Sequence, residues 1–421
     1  MRLFSFGNVF RSARLFGRVA GSFGAERLSP ANGGDRMNLL YSNPLFGAVI
    51  AAVVVTAGCQ SPSSIPEYTE SFVYVGTYTN DAGAKGIYLY RMNLTTGELT
   101  DLGLAAESKS PSFLAIHPGG KHLYAVNEHS DAVSAFAIDQ SSGKLGFLNQ
   151  HSSRGANPCH LSIDHSGKTV LVANYSGGSV AALPIDEDGR LRPASAYIKH
   201  DGQAIEKAGP HAHSIYVDPQ NRFAVAPDVG LDEILVYRFD AKVGSLEASS
   251  PRGIGTPKRA GPRHFAFHPD GNYAYVITET SNTMIAYEYD SERGGLTPIQ
   301  TVPTVPADFT GDSWTSEIQV HPSGRFVYGS NRGHNSIAVY SIDPSNGRLT
   351  LVEFEPTQGR MPRGFGIDPT GRFFLAGNRE TNTIVPFTID QKTGALDPTG
   401  NVISVPRPVC IKFLPIVAIE Q

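Results

Sequence analysis

Six segments of the chain repeat one pattern: a His-Pro or Asp-Pro type turn, two strand-like runs, and a hairpin of the form Asp-x-x-x-Gly-x-Leu. The turns fall at His117-Pro118-Gly119, Asp164-His165-Ser166, Asp218-Pro219-Gln220, His268-Pro269-Asp270, His321-Pro322-Ser323 and Asp368-Pro369-Thr370, spaced 47, 54, 50, 53 and 47 residues apart. A period of about 50 residues built from short alternating strands predicts a propeller and not a solenoid. The repeat also lets each unit be compared with every other, so positions where the units disagree stand out.

Each unit reads as four strands. In the sixth, Glu317–Val320, Arg325–Ser330, Ser336–Ile342 and Arg348–Val352 alternate apolar and polar residues between Gly, Pro, Asn and Asp. A seventh unit is split between the chain ends. Phe72–Tyr78, Gly86–Asn93 and Glu98–Leu102 supply three strands without an inner one, and Pro408–Phe413 is an inner strand with no blade after it. Joining them closes the ring and removes an exposed sheet edge. The expected fold is therefore all-β, a seven-bladed β-propeller whose first blade is closed by the C-terminal strand, over residues 71–415, with 416–421 as a tail. No stretch of comparable length carries a 3.6-residue apolar stripe.

The N-terminal part differs. Phe46–Val55 is an apolar run shorter than the roughly 18–20 residues of a membrane span, which suits a signal segment better than a transmembrane helix. Thr56-Ala57-Gly58-Cys59 after it resembles a bacterial lipobox, with Thr56 where Leu is usual. Cys59 is then the lipidated residue, 1–60 the signal and lipoprotein-type segment, and 61–70 the tether. Starting at Met1 supplies Arg2, Arg11, Arg14, Arg18, Arg27 and Arg36 ahead of the run, whereas a start at Met37 supplies none. The expectation is export to the bacterial cell envelope or periplasm, with membrane contact only through that anchor. A mis-called start would leave a cytoplasmic protein. A net charge of −4 and 18% charged residues give no basic footprint for nucleic acid. Three cysteines make no disulfide framework; Cys159 and Cys410 read as buried thiols.

Inner strands begin, and second strands end, on one face of a propeller. Five residues before the turn proline stand Phe113, His160, Ser214, His264, Glu317, Gly364 and Cys410; one residue earlier stand Ser112, Cys159, His213, Arg263, Ser316, Arg363 and Val409. Second strands end at Asn127-Glu128, Asn174-Tyr175, Asp228-Val229, Thr278-Glu279, Asn331-Arg332 and Asn378-Arg379. Pure packing would place small or apolar residues there. Instead one mouth is expected to collect His160, His211, His213, Arg263, His264, Glu279, Glu317, Arg332, Arg363 and Arg379, mostly from blades 4 to 7. Converging ionisable groups in a concavity mark a ligand or active site, and the arginine excess points to an anionic ligand. His117, His268 and His321 read as turn scaffold. The recurring asparagines read as bonding the loop that follows them, and Tyr175 and Phe113 as packing residues.

At these residues the chain resembles the seven-bladed lactonase family, which includes propeller-type bacterial 6-phosphogluconolactonases and fungal carboxymuconate lactonizing enzymes. The matching motifs are Gly209-Pro210-His211-Ala212-His213, Gly261-Pro262-Arg263-His264 with Phe267–Gly271, Glu279, and Ser316–Arg325 running into Ser330-Asn331-Arg332. The likeness spans nearly everything after residue 70. It implies a catalytic set of His213, Arg263, Glu279 and Arg332, four positions that the blade comparison also selects. One departure is Ala226-Pro227-Asp228-Val229-Gly230, where the family usually has Asp-Leu-Gly without the proline.

The implied chemistry is hydrolysis of a phosphorylated or carboxylated sugar lactone. It needs a base for water and positive charge near the developing oxyanion. Either His213 or Glu279 can be that base with the other orienting it; Arg263 and Arg332 stabilise charge or hold the substrate anion. His160, His211, His264, Glu317, Arg363 and Arg379 are the expected substrate-binding residues. No nucleophile elbow is present. Alternatives are a carboxymuconate-type cycloisomerase and a non-catalytic exported ligand-binding propeller. A metal-dependent propeller is rejected because the axial positions are mostly His and Arg, so neither metal nor cofactor is expected. The oligomeric state stays open.

Overall fold

In the computed structural model, which describes residues 68–80, 83–202 and 209–416, every regular element is a strand. The strands form seven antiparallel sheets, six of four strands and one of five. Blade 1 contains Pro408–Pro415, Glu70–Thr77, Gly86–Asn93 and Leu99–Glu107. Blades 2 to 7 follow in chain order, with inner strands Leu114–Ile116, Pro158–Ile163, Tyr216–Val217, Pro262–Phe267, Trp314–Val320 and Pro362–Ile367. The closure is as the sequence predicts: the C-terminal strand pairs with the first, Val73 opposite Phe413 and Val75 opposite Ile411.

Because every blade buries both faces, the apolar core lies between blades. Phe223, Val225 and Val236 of blade 4 meet Phe265, Val276, Ile285 and Tyr287 of blade 5, all buried. Polar staples add direction. His117, His268 and His321 each donate from Nε2 to the carbonyl of a glycine in the next blade, Gly167 (2.9 Å), Gly324 (2.7 Å) and Gly371 (2.7 Å). Those glycines have φ of 71–73°, and a Cβ on any of them would overlap the imidazole. The hairpin glycines do matching work: the hydroxyls of Tyr74, Tyr124, Tyr275 and Tyr328 donate to the carbonyls of Gly143, Gly189, Gly347 and Gly394 in the following blade. The repeated turn and hairpin signatures are thus blade-to-blade contacts.

The register asparagines differ from expectation. Asn127, Asn174, Asn331 and Asn378 donate to the carbonyls of Lys109, Ser153, Thr304 and Thr357, in the link that precedes their own blade rather than the loop that follows them. The antiparallel order explains this, since the end of the second strand lies beside the chain entering the inner strand. The lipobox, Cys59 and most of the tether lie outside the described residues.

Candidate active site

Five blades break register at the start of the inner strand, between Pro158 and His160, Pro262 and His264, Thr315 and Ile318, Pro362 and Gly364, and Pro408 and Cys410. The residues left out of the ladder are Cys159, Arg263, Ser316 with Glu317, Arg363 and Val409. A bulge re-aims the side chain it frees. Here it delivers the aligned positions that vary most between blades to the propeller axis.

Glu279 follows the second strand of blade 5 and is fixed by its N–H, which donates to Gly261 O at 2.7 Å. Its carboxylate is held from two sides: Oε2 lies 3.0 Å from Arg263 Nε, and Oε1 lies 3.1 Å from Arg332 Nη2. Both guanidiniums are themselves anchored on blade 6, Arg263 Nη1 donating to Ser316 O and Arg332 Nη2 to Thr315 O, each at 2.7 Å. Burial pushes the Glu279 carboxyl up, but Arg332, Arg263 and Arg363 outweigh it and hold it below 4.5.

His213 meets this carboxylate across a gap, Nε2 to Oε2 4.0 Å. Burial first, then the charges of Arg263 and other neighbours, drives the imidazole well below 6.5, so it is neutral at neutral pH. Its Nδ1 lies 3.8 Å from Cys159 Sγ, and that sulfur lies 3.3 Å from His213 O. Burial also pushes the thiol up, so Cys159 stays protonated. A thiol donating to the carbonyl while accepting from Nδ1–H satisfies both contacts and leaves the Nε2 lone pair facing Glu279 and the mouth.

The loop bearing His213 is organised by Asp228, which is fully buried. Oδ1 accepts from the N–H groups of His211 (2.7 Å), Gly230 (3.0 Å) and Leu231 (3.1 Å), and Oδ2 pairs with His200 Nδ1 at 2.6 Å. Pro227 has no N–H to give, yet its carbonyl accepts from His213 N at 3.0 Å. The sequence departure at 226–230 is therefore the platform for the histidine loop.

Above the cluster opens a cavity of about 450 Å³ lined by Tyr175, His211, Gly230, Arg259, Glu279 and Trp314, among others. The expected single mouth divides. His160 and Glu317 line a different cavity, about 560 Å³, on the side of the inter-strand turns. His264 stands between the two sets: its ring centroid is 5.2 Å from that of His213 and 5.3 Å from that of His160, and its Nδ1 is 3.4 Å from Glu317 Oε2. Phe113 packs against His160 with ring centroids 4.2 Å apart and the planes tilted by 37°. Arg363 lies over the Tyr78 ring at 5.3 Å, and Arg379 pairs with neighbouring Glu380 at 3.1 Å. Of the expected residues, His211 and Glu279 line the first cavity, and His213, Arg263, Arg332 and Arg363 cluster around the Glu279 carboxylate. The alignment could not see depth along the axis, because consecutive inner-strand positions point to different heights of the channel.

Cys159, Asp228, Arg259 and Trp314 were not selected from sequence. Tyr175, read there as packing, instead walls the cavity, stacked on His211 at 4.6 Å and 21°. Its register with Glu279, Arg332 and Arg379 was the available signal.

A family model described as lactonase, seven-bladed β-propeller, matches residues 72–413. The chain belongs to this lactonase family. Among its relatives, 6-phosphogluconolactonase of Bacillus subtilis is 40% identical over 350 residues, covering 82% of this chain and 99% of the relative. That of Formosa agariphila is 34% identical, covering 70% of this chain and 86% of the relative. The solved structure of the periplasmic gluconolactonase of Pseudomonas aeruginosa superposes with a TM-score of 0.78 at 30% identity, covering 82% of this lactonase and 99% of that chain. Nearly complete coverage of these relatives places the whole propeller, and not one patch of it, within the lactonase family. Among the described residues no group of three or more His, Cys, Asp or Glu is placed to hold a metal ion.

Proposed function

We propose that this chain hydrolyses an anionic sugar lactone, of the kind named for its 6-phosphogluconolactonase relatives, with His213 as the base. The carrying observation is the 4.0 Å gap between a neutral imidazole nitrogen and a carboxylate already committed to two arginines. Both carboxylate oxygens of Glu279 are already engaged by guanidiniums, and Oε2 is itself buried. His213 Nε2 takes a proton from water as the oxygen attacks the lactone carbonyl, and Glu279 favours the imidazolium so formed. Arg332 stabilises the oxyanion. The ring C–O bond then breaks, and the departing alkoxide takes the proton back from Nε2, giving the hydroxy acid and a neutral histidine. Arg263, only 1% exposed, holds Glu279 in place and does not reach the substrate.

Arg263, Arg332 and Arg363 surround Glu279, leaving the cluster an excess of positive charge that suits an anionic substrate. The test is a pH-stat screen of 6-phosphogluconolactone, gluconolactone and muconolactones against their spontaneous hydrolysis. Hydrolysis of the first two above background supports the reading; turnover of muconolactones alone defeats it. Export and lipidation at Cys59 form part of the same proposal, supported by the Phe46–Val55 run and by the periplasmic address of the Pseudomonas aeruginosa homologue. Cys59→Ser should release the protein from membranes while leaving activity unchanged; wild-type protein confined to the cytosol would refute export.

A further inference from the structure

Trp314 is the sole tryptophan in 421 residues, and it is 42% exposed. An aromatic contributes to stability by burial, so the exposed part of this indole is not accounted for by packing. Trp314 is placed instead on the wall of the cavity that holds Glu279. It is also fixed: it opens the inner strand of blade 6, and its backbone pairs across the sheet with Arg332, whose guanidinium holds Glu279. The indole is thus tied to the charged cluster by strand register and not by a loop.

A second aromatic wall comes from the other direction around the ring. Tyr175 of blade 3 and His211 of blade 4 stack at 4.6 Å and 21°, and His211 Nδ1 lies 3.1 Å from Tyr175 O, which locks the pair. Glu279 and Thr280 of blade 5 lie between these blades and blade 6. The cavity therefore has aromatic plates toward both flanks and charge on its floor. Guanidiniums alone suffice for an acyclic dianion. A six-membered polyhydroxylated ring gains from the plates, because its C–H face leaves water against an indole while its hydroxyls stay at the polar edge.

We propose that Trp314 is a specificity-determining platform for the ring face of a six-membered aldonolactone. This rests on the lactonase reading of the site and names its substrate class. Stacking on a ring face is the same in ground and transition states, so the platform acts on KM and leaves kcat nearly alone.

Steady-state hydrolysis of glucono-1,5-lactone by wild type, Trp314→Ala and Trp314→Tyr tests it. The alanine variant should raise KM about 10-fold or more with kcat within about 3-fold, and tyrosine should restore most of the loss. Because the chain has one tryptophan, gluconate should also change the wild-type emission saturably, over the concentrations at which it inhibits hydrolysis. An alanine variant that melts like wild type and keeps its KM overturns the proposal, as does inhibition by gluconate with no change in emission. Should the alanine variant fail to fold, the tyrosine variant and the wild-type titration still decide. Wild-type protein that hydrolyses no aldonolactone would sink the lactonase reading itself; active wild type with an indifferent Trp314→Ala sinks only the platform.

Discussion

His213 Nε2 and Glu279 Oε2 face one another across 4.0 Å, a separation too long for a hydrogen bond between them and short enough for each to feel the other's charge. The pair is asymmetric. Glu279 is held ionised by Arg263 and Arg332, while burial and the same arginines keep His213 neutral. A base and its electrostatic partner are thereby assigned by environment.

The pH dependence of kcat/KM follows from this. A histidine base whose pKa is depressed in the fold keeps its lone pair as pH falls through 6.5, so the acid limb should lie below that value. Arg332→Met removes a cation that depresses His213, so its limb should move to higher pH, on a rate lowered roughly 10²-fold. Rate profiles on a rapidly opening lactone measure both. A wild-type limb at or above 6.5, or a downward shift in the variant, would contradict the assignment.

Asp228 supports a prediction about stability. Removing its carboxylate strands three backbone N–H groups and His200 in a buried setting. Asp228→Ala should cost about 3–5 kcal/mol. Asp228→Asn keeps an acceptor for the loop and should cost about 1–3 kcal/mol. Urea unfolding separates the two, and equal small losses would show that the loop is held by other contacts.

How much of this was legible in the sequence follows from how each feature is encoded. The fold was, because the His-Pro turns and Asp-x-x-x-Gly-x-Leu hairpins recur at near-constant spacing and the orphan strand at Pro408–Phe413 has one place to go. His213, Arg263, Glu279 and Arg332 were visible as disagreements between aligned blades. Depth was not: Glu279 and Glu317 both come from strand ends compared between blades, yet they line different cavities, because depth along the axis is set by bulges in the backbone. Asp228 was not legible either, because its role lies in contacts with a loop 17 residues away and with His200, which no local pattern encodes. Trp314 precedes the inner-strand positions that the blade alignment compared, so nothing flagged it.

Ring closure can be tested by truncation. Deleting residues 405–421 removes the strand paired with Glu70–Thr77 and exposes a long apolar edge. The truncated protein should aggregate or fail to express, as seen by size-exclusion chromatography of the soluble fraction. A soluble, cooperatively unfolding product would show that the ring does not need this strand.

The axial histidines should make the fold sensitive to acid. Burial, with help from neighbouring charges, holds His160, His213 and His264 well below 6.5, so below that pH the unfolded chain binds more protons than the folded one. Stability must then fall as pH falls. Glu317, raised by burial, opposes this with a single proton against three. A net loss of stability between pH 6.5 and 5 should be read from thermal melts. His160→Phe, which fits beside Phe113 and Tyr216, should flatten the slope. An unchanged slope would mean that these imidazoles are not the titrating groups.

The most direct test of the proposed chemistry is proton release during lactone opening, followed by pH-stat for wild type and His213→Gln under one substrate concentration series. Wild-type protein should open 6-phosphogluconolactone or gluconolactone well above the buffer rate. His213→Gln should lose about 10²–10³-fold in kcat/KM while melting near the wild-type temperature. A folded His213→Gln protein that keeps wild-type turnover, or a wild type no faster than buffer, would contradict the account.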